Sequence, residues 1–280
     1  MTVWDRYWKR EYKNILSSFS LEGIISNDLN YYLLRNALLN SGILKKKKGL
    51  KLLDAGSGSG LKSLALMKEF DDLDFDMTFC DLSEVSLSLV LSLIKVNQLE
   101  NKARFSIILG DLLHLPFENE EFDIVWNSGV MEHFKGDERQ RIFTEIYRVC
   151  GKGGVYVSIV PNYLNIYQVL KQKYQEKKGT WQYGYQRNFS IFELRKRMKA
   201  CGFEILSEDG TGSFNKPILE VIDKIQRILR RTKASNKEDQ TNLPPKKLGK
   251  SSLKGLQERI ETKFGLGKLA GWHIAICGQK

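Results

Sequence analysis

Leu50-Lys51-Leu52-Leu53-Asp54-Ala55-Gly56-Ser57-Gly58-Ser59-Gly60 decides the fold of this 280-residue chain. The apolar run at 50–53 predicts a buried strand. Asp54 ends it, three glycines alternate, and an apolar helical pattern starts at Leu61. Glycine there allows positive φ and lets a ligand approach the bare backbone. The helix start behind the turn offers free N–H groups to a polar or anionic ligand. A strand, a glycine turn and a helix in this order form the nucleotide end of a doubly wound sheet. The spacing is Gly-x-Gly-x-Gly, one residue tighter than the dinucleotide pattern Gly-x-Gly-x-x-Gly, with Leu61 where that pattern has its last glycine.

Working outward, residues 74–80 alternate Phe75, Met77 and Phe79 and predict a second strand running into Asp81-Leu82-Ser83. A carboxylate at that strand end is placed to accept from both hydroxyls of a ribose. Asp81 could instead cap the helix at 84–97, but Ser83 is better placed for that. A third strand, Phe105–Leu109, leads into Gly110-Asp111-Leu112, where Asp111 is either an adenine contact or an ordinary Gly-Asp turn. Phe122–Asn127 is a fourth strand. A helix over about 137–150 carries Ile142, Ile146 and Val149 on one face. Gly151–Gly154 should then turn the chain into strand five, Val155–Val160. Ser190 and Glu193 match a capping box opening a helix to Ala200, which Gly202 stops; Phe203–Leu206 and Trp272–Cys277 complete the strands.

The pieces LLDAGSGSG (52–60), FCDLS (79–83), GDLLHLPF (110–117), FDIVWNSGVMEHF (122–134) and GKGGVYVSIVPN (151–162) resemble the class I S-adenosylmethionine-dependent methyltransferases, particularly the small-molecule and ubiquinone/menaquinone branch. The resemblance covers about 50–207 and the last strand. It implies an α/β, doubly wound, mostly parallel seven-stranded sheet whose last strand is antiparallel. It implies S-adenosyl-L-methionine as cofactor, with Asp54, Gly56, Ser57 and Gly58 at the methionine end, Asp81 and Leu82 at the ribose, and Asp111 and Leu112 at the adenine. Asn127 and Ser128 would lie under the cofactor near the reacting methyl. No metal is implied.

The chain divides into a helical cap (1–49), a core (50–213), an insertion (214–268) and the last core strand (269–280). In the cap, Trp4, Trp8, Tyr12 and Ile15 recur at helical spacing, as do Leu29, Leu33, Ala37 and Leu38, predicting two amphipathic helices. Either they only pack on the sheet or the first is a lid placing Trp8 or Tyr12 over the cofactor. Segment 161–189 is rich in aromatics, which suggests a substrate pocket drawing on Tyr167, Tyr183 and Tyr185, or else a small core under a long loop. The insertion holds 14 Lys/Arg against 6 Asp/Glu, a net +8 of the chain's +11. Ile218, Ile222, Ile225 and Leu229 step along one helical face, with Lys224, Arg227, Arg230 and Arg231 on the other. Stretch 217–231 could pack on the core, contact an anionic membrane surface peripherally, or meet nucleic acid, the last less favoured.

His133, just past strand four, is the candidate general base, because neutral imidazole works near pH 7; the alternative is a histidine that fixes the following loop. Glu132 is a weaker candidate, and His114 reads as structural. After strand four the chain has Asn127-Ser128-Gly129-Val130 rather than the Asn/Asp-Pro-Pro-aromatic motif of amino-methylating nucleic-acid enzymes, and no Pro-Cys nucleophile pair occurs. A small-molecule or glycan- or lipid-linked acceptor is therefore expected for O, N or C methylation. An RNA methyltransferase and a non-catalytic S-adenosylmethionine-binding protein are the alternatives. Four separated cysteines, a charged aromatic start and no long apolar run suit a cytoplasmic protein, peripheral to the inner membrane face if the basic stretch binds there.

Overall fold

The computed structural model describes residues 2–46, 49–100, 104–211 and 271–280. The basic stretch 217–231 lies outside them. Three helices open the chain: α1 (Val3–Ser18), α2 (Leu21–Asn27) and α3 (Leu29–Ser41). Sequence periodicity predicts two. Each break coincides with a cap: Ser20 accepts from Gly23 N–H, and Asp28 accepts from Asn30 and Tyr31 N–H.

The core alternates β1 (Leu50–Ala55), α4 (Leu61–Glu69), β2 (Phe75–Asp81), α5 (Glu84–Val96), β3 (Arg104–Leu109), β4 (Phe122–Ser128), α6 (Gly136–Val149), β5 (Cys150–Pro161), α7 (Ile166–Lys177), α8 (Ile191–Cys201), β6 (Glu204–Thr211) and β7 (His273–Gln279). The seven strands form one sheet in the order β3-β2-β1-β4-β5-β7-β6. β7 runs antiparallel to both of its neighbours, and the other pairings are parallel. Ser83 is the cap of α5, as its position before Glu84 predicts.

Parallel strands covered on both faces read as continuous apolar runs, which is why β1 and β4 stand out in the sequence. One face packs Leu52, Phe79 and Val157 with Leu38, Leu64 and Leu93; the other packs Leu53, Val125 and Tyr156 with Ile142, Ile146 and Leu194. Cys80, Cys150 and Cys277 are free and buried. Among the described residues no helix is long and apolar enough to cross a membrane.

Gly151–Gly154 does not form a separate turn. It lies within β5, beside a register irregularity between Phe122 and Ile124. A Cβ at Gly154 would sit 2.8 Å from Gly151 O and 2.9 Å from Asp123 O, so glycine lets the strand close against its neighbour there. Segment 161–189 holds a full helix, α7, capped by Asn165. Half of the capping box at α8 forms: Ser190 accepts from Glu193 N–H, but the Glu193 carboxylate turns to Arg139, Arg187 and Arg197.

Candidate active site

β1 and β4 are adjacent while their connections leave in opposite directions, so a crevice opens at their carboxyl ends. A cavity of about 710 Å³ occupies it. The glycine turn forms one wall. Gly56 and Ser57 N–H both donate to Cys80 O, and Gly58 N–H donates 2.8 Å to Asp81 Oδ2. Gly56, Gly58 and Gly60 all have positive φ. A Cβ on Gly58 would lie 2.5 Å from Trp8, so Gly58 is also where the N-terminal helix meets the turn.

Asp81 faces the cavity and accepts from Ser83 N–H through its other oxygen, at 2.9 Å. Burial pushes its carboxyl up, and the Gly58 and Ser83 N–H groups oppose this. Each oxygen keeps a further lone pair for a ligand. Asp111 lines the same cavity and accepts from Leu113 N–H at 2.9 Å, so the turn role is real and occupies one oxygen. Ser57 also lines it, and its buried Oγ has no partner among the described residues. Two carboxylates, an unpartnered hydroxyl and a glycine cradle fit an adenosyl ligand with a polar amino-acid end.

Not every expected residue reaches the wall. Gly56, Ser57, Gly58, Leu82, Leu112, Ser128 and Trp8 do, whereas Asp54 and Asn127 lie behind it. Asp54 is buried against α4, where Ser63 donates to it at 2.7 Å and Trp126 Nε1 donates to Ser63 at 3.1 Å. Burial lifts its carboxyl to about 7. Asn127 is spent between Tyr156 Oη and Ser158 Oγ. The raised pKa means that the fold binds the Asp54 proton more tightly than the unfolded chain does. Its contribution is fully present below about pH 4 and is lost as pH rises to about 7. Asp54→Asn, fixed neutral, should therefore gain on the parent protein across that window, by at least about 1.4 kcal/mol, the worth of one pKa unit. Urea titrations at pH 4 and pH 8 would measure it; an unchanged difference would mean that Asp54 is not held neutral.

The opposite wall comes from α1, from the 3₁₀ turn Met131–His133 after β4, and from α7 with the segment behind it. Trp4, Tyr7 and Trp8 project from α1. Tyr12 does not: its hydroxyl is 2.7 Å from Ser92 Oγ and fastens α1 to α5, as the 2.7 Å bond from Ser83 Oγ to Asp5 also does. Of the tyrosines expected at the substrate, Tyr183 lines the cavity beside Trp181. Tyr167 and Tyr185 are exposed and off the wall. Tyr185 contributes its carbonyl instead, 2.8 Å from His133 Nδ1. Gln168, Gln172 and Gln175 line one side of α7; hydrophobic periodicity misses such a polar stripe, although their spacing is helical. Trp272 and His273 enter from the start of β7.

A carbonyl oxygen only accepts, so His133 Nδ1 carries the proton, and a neutral ring leaves Nε2 as a free base. Burial pulls this imidazole below its ordinary pKa, which favours the neutral ring. Its neighbour Glu132 also lines the cavity, with Oε1 3.9 Å from His133 Nε2. Its Oε2 is buried without a partner among the described residues. Burial raises this carboxyl to about 8, and its own backbone N–H and the Arg139 charge offset only part of that. Arg139 is fully buried behind both residues. It donates to Phe134 O at 2.7 Å, Glu132 O at 3.2 Å and Arg187 O at 2.5 Å, and lies over the Phe189 ring. His114 sits 2.9 Å from Arg141 and outside the cavity lining, in keeping with a structural role.

Residues 53–158 match the family described as a methyltransferase domain. Over 113 residues the chain is 32% identical to 2-methyl-6-phytyl-1,4-hydroquinone methyltransferase 1 of Oryza sativa subsp. japonica, covering 40% of this chain and 31% of that one. It is 26% identical over 155 residues to tocopherol O-methyltransferase of Arabidopsis thaliana, covering 54% and 42%. The chain thus spans well under half the length of these relatives. Phosphoethanolamine N-methyltransferase 2 of Haemonchus contortus, solved with S-adenosyl-L-methionine, shares the fold with a TM-score of 0.51 at 18% identity, over 94% of this chain and 60% of that one. The matched segment holds the glycine turn, Asp81, Asp111 and the Glu132-His133 pair. α1 and α7, which close the cavity, lie outside it.

Proposed function

We propose that this chain is an S-adenosylmethionine-dependent methyltransferase acting on a small-molecule acceptor. The observation that carries the reading is that the glycine turn and two strand-end carboxylates, Asp81 and Asp111, open onto the cavity that His133 and the aromatic residues of α1 face. Asp81 would hold the ribose hydroxyls, Asp111 and Leu112 the adenine, and Gly56–Gly58 with Ser57 the amino-acid end. S-adenosylmethionine, when bound, supplies a methyl group on a positively charged sulfur, which is already a good leaving group.

The protein's tasks are then alignment, exclusion of water and removal of a proton. Alignment falls to the cavity walls. Trp4, Tyr7 and Trp8 of α1 meet Trp181 and Tyr183 through the Tyr7–Tyr183 contact, ring centroids 5.5 Å apart, and together they form an aromatic wall that excludes water from the cavity. His133 Nε2, left unprotonated by the bond at Nδ1, takes the proton of an acceptor hydroxyl or amine.

Calorimetry should show S-adenosylmethionine, or its demethylated product, binding in the micromolar range, roughly −7 to −8 kcal/mol. Asp81→Ala should weaken this by about 1.5–3 kcal/mol, because charge-assisted hydrogen bonds are lost. Binding of NAD in place of S-adenosylmethionine would refute the assignment. Labelled-methyl transfer into small-molecule, lipid and glycan fractions would then identify the acceptor.

A further inference from the structure

Glu132 is the anomaly of the acceptor side. Its side chain is 3% exposed, lines the cavity and leaves Oε2 without a partner among the described residues. The other cavity carboxylates are provided for: Asp81 receives two backbone N–H groups and Asp111 one. Nearby cations are engaged elsewhere. Lys62 stands 3.8 Å from Asp28, Lys171 lies over the Trp272 ring, and Arg139 spends its hydrogen bonds on three carbonyls and Glu193. His133 Nε2 is 3.9 Å from Glu132 Oε1 and carries no proton when Nδ1 donates to Tyr185 O. A buried carboxyl left in this way costs free energy unless a ligand completes it.

The surroundings indicate the charge of that ligand. Glu132 Oε1 stands 3.7 Å from the position a Cβ would take on Gly129, so the carboxyl lies against the chain just past the end of β4, where both residues line the cavity. Beside it, the Trp4 ring packs 4.7 Å from His133, and Tyr7 links Trp4 to Tyr183 with ring centroids 6.1 and 5.5 Å apart. A buried carboxyl beside an aromatic cluster suits an organic ammonium group: the rings attract the cation, and the cation's charge and N–H donors favour ionisation of a carboxyl that burial alone keeps protonated. An ammonium carries several N–H donors and can satisfy both oxygens, whereas a hydroxyl supplies one.

We propose that the acceptor bears a cationic amine next to an apolar or aromatic arm, held by Glu132 against the cluster of Trp4, Tyr7 and Tyr183. The inference concerns recognition, whichever atom takes the methyl, and it rests on the methyltransferase reading only for calling the ligand an acceptor. Matched probes test it: tryptamine against tryptophol, and phenethylamine against 2-phenylethanol, titrated into the full chain with and without S-adenosylhomocysteine. The amine of each pair should bind at least about tenfold more tightly. Glu132→Gln, which keeps the shape and a hydrogen-bond donor but no charge, should abolish that preference with S-adenosylhomocysteine affinity unchanged. Equal binding within the pairs, no amine binding, or a preference retained in the glutamine protein would overturn the inference. If the glutamine protein does not fold, the preference of the wild-type chain decides alone. Failure of S-adenosylhomocysteine to bind the wild-type chain would count against the methyltransferase reading, and the pairs measured without it would still judge Glu132.

Discussion

Arg139→Met should lower the unfolding free energy by about 3–5 kcal/mol, the range found when one partner of a buried ionic network is removed. Methionine has a similar reach and fills much of the same space, so the loss reports hydrogen bonds and charge more than a cavity. The side chain is wholly buried, and its donors go to Phe134 O, Glu132 O, Arg187 O and the Glu193 carboxylate. Without it, three carbonyls lose a donor, and among the described residues Glu193 keeps Arg187 and Arg197 as its ion-pair partners. The consequence is also local. Arg139 ties the turn bearing Glu132 and His133 to the irregular segment bearing Tyr185 and Arg187, so it fixes both cavity-facing side chains from behind. Urea unfolding of the two proteins would measure the loss. A difference under about 0.5 kcal/mol would show that the network is dispensable.

That residue also shows where sequence reading stops. The glycine turn, Asp81 and Asp111 are legible because each lies at the end of a local apolar strand, and the order of strands fixes which ends meet. Ser83 and Gly202 are legible because helix caps are local chemistry. Arg139 stands on the buried stripe of α6, three residues before Ile142 and seven before Ile146, but its charge makes it read as the solvated start of that helix; its partners Phe189 and Glu193 come some fifty residues later. Trp272 and His273 reach the cavity only because β7 pairs with β5 and brings the start of that strand to the crevice. Asp54 and Asn127 match the family's motif, yet their side chains are taken up by Ser63 and by Tyr156 and Ser158. Strand alternation around a bound ligand cannot be read without knowing which neighbours offer hydrogen bonds. The break between α2 and α3 was readable at Asp28, a cap that hydrophobic spacing alone overlooks.

His133→Asn should reduce turnover by about 10²-fold or more while cofactor affinity and stability stay close to those of the parent protein. Asparagine is chosen because its amide nitrogen occupies nearly the place of Nδ1 and can donate to Tyr185 O, preserving the link that the imidazole makes at 2.8 Å. What it lacks is Nε2, the only ring atom left to accept a proton in the neutral tautomer. The pH profile separates a base from a brace. Burial holds the imidazole pKa below its ordinary 6.5, so the wild-type rate should rise through a limb on the acid side of 6.5 and level off toward neutrality. The asparagine protein should show a low rate without that limb. His133→Ala breaks the bond to Tyr185 as well, so its melting temperature should fall while its residual rate matches that of the asparagine protein. If the asparagine protein keeps full turnover and alanine alone impairs the enzyme, His133 serves to hold the Tyr185 segment, and the proton leaves by another route.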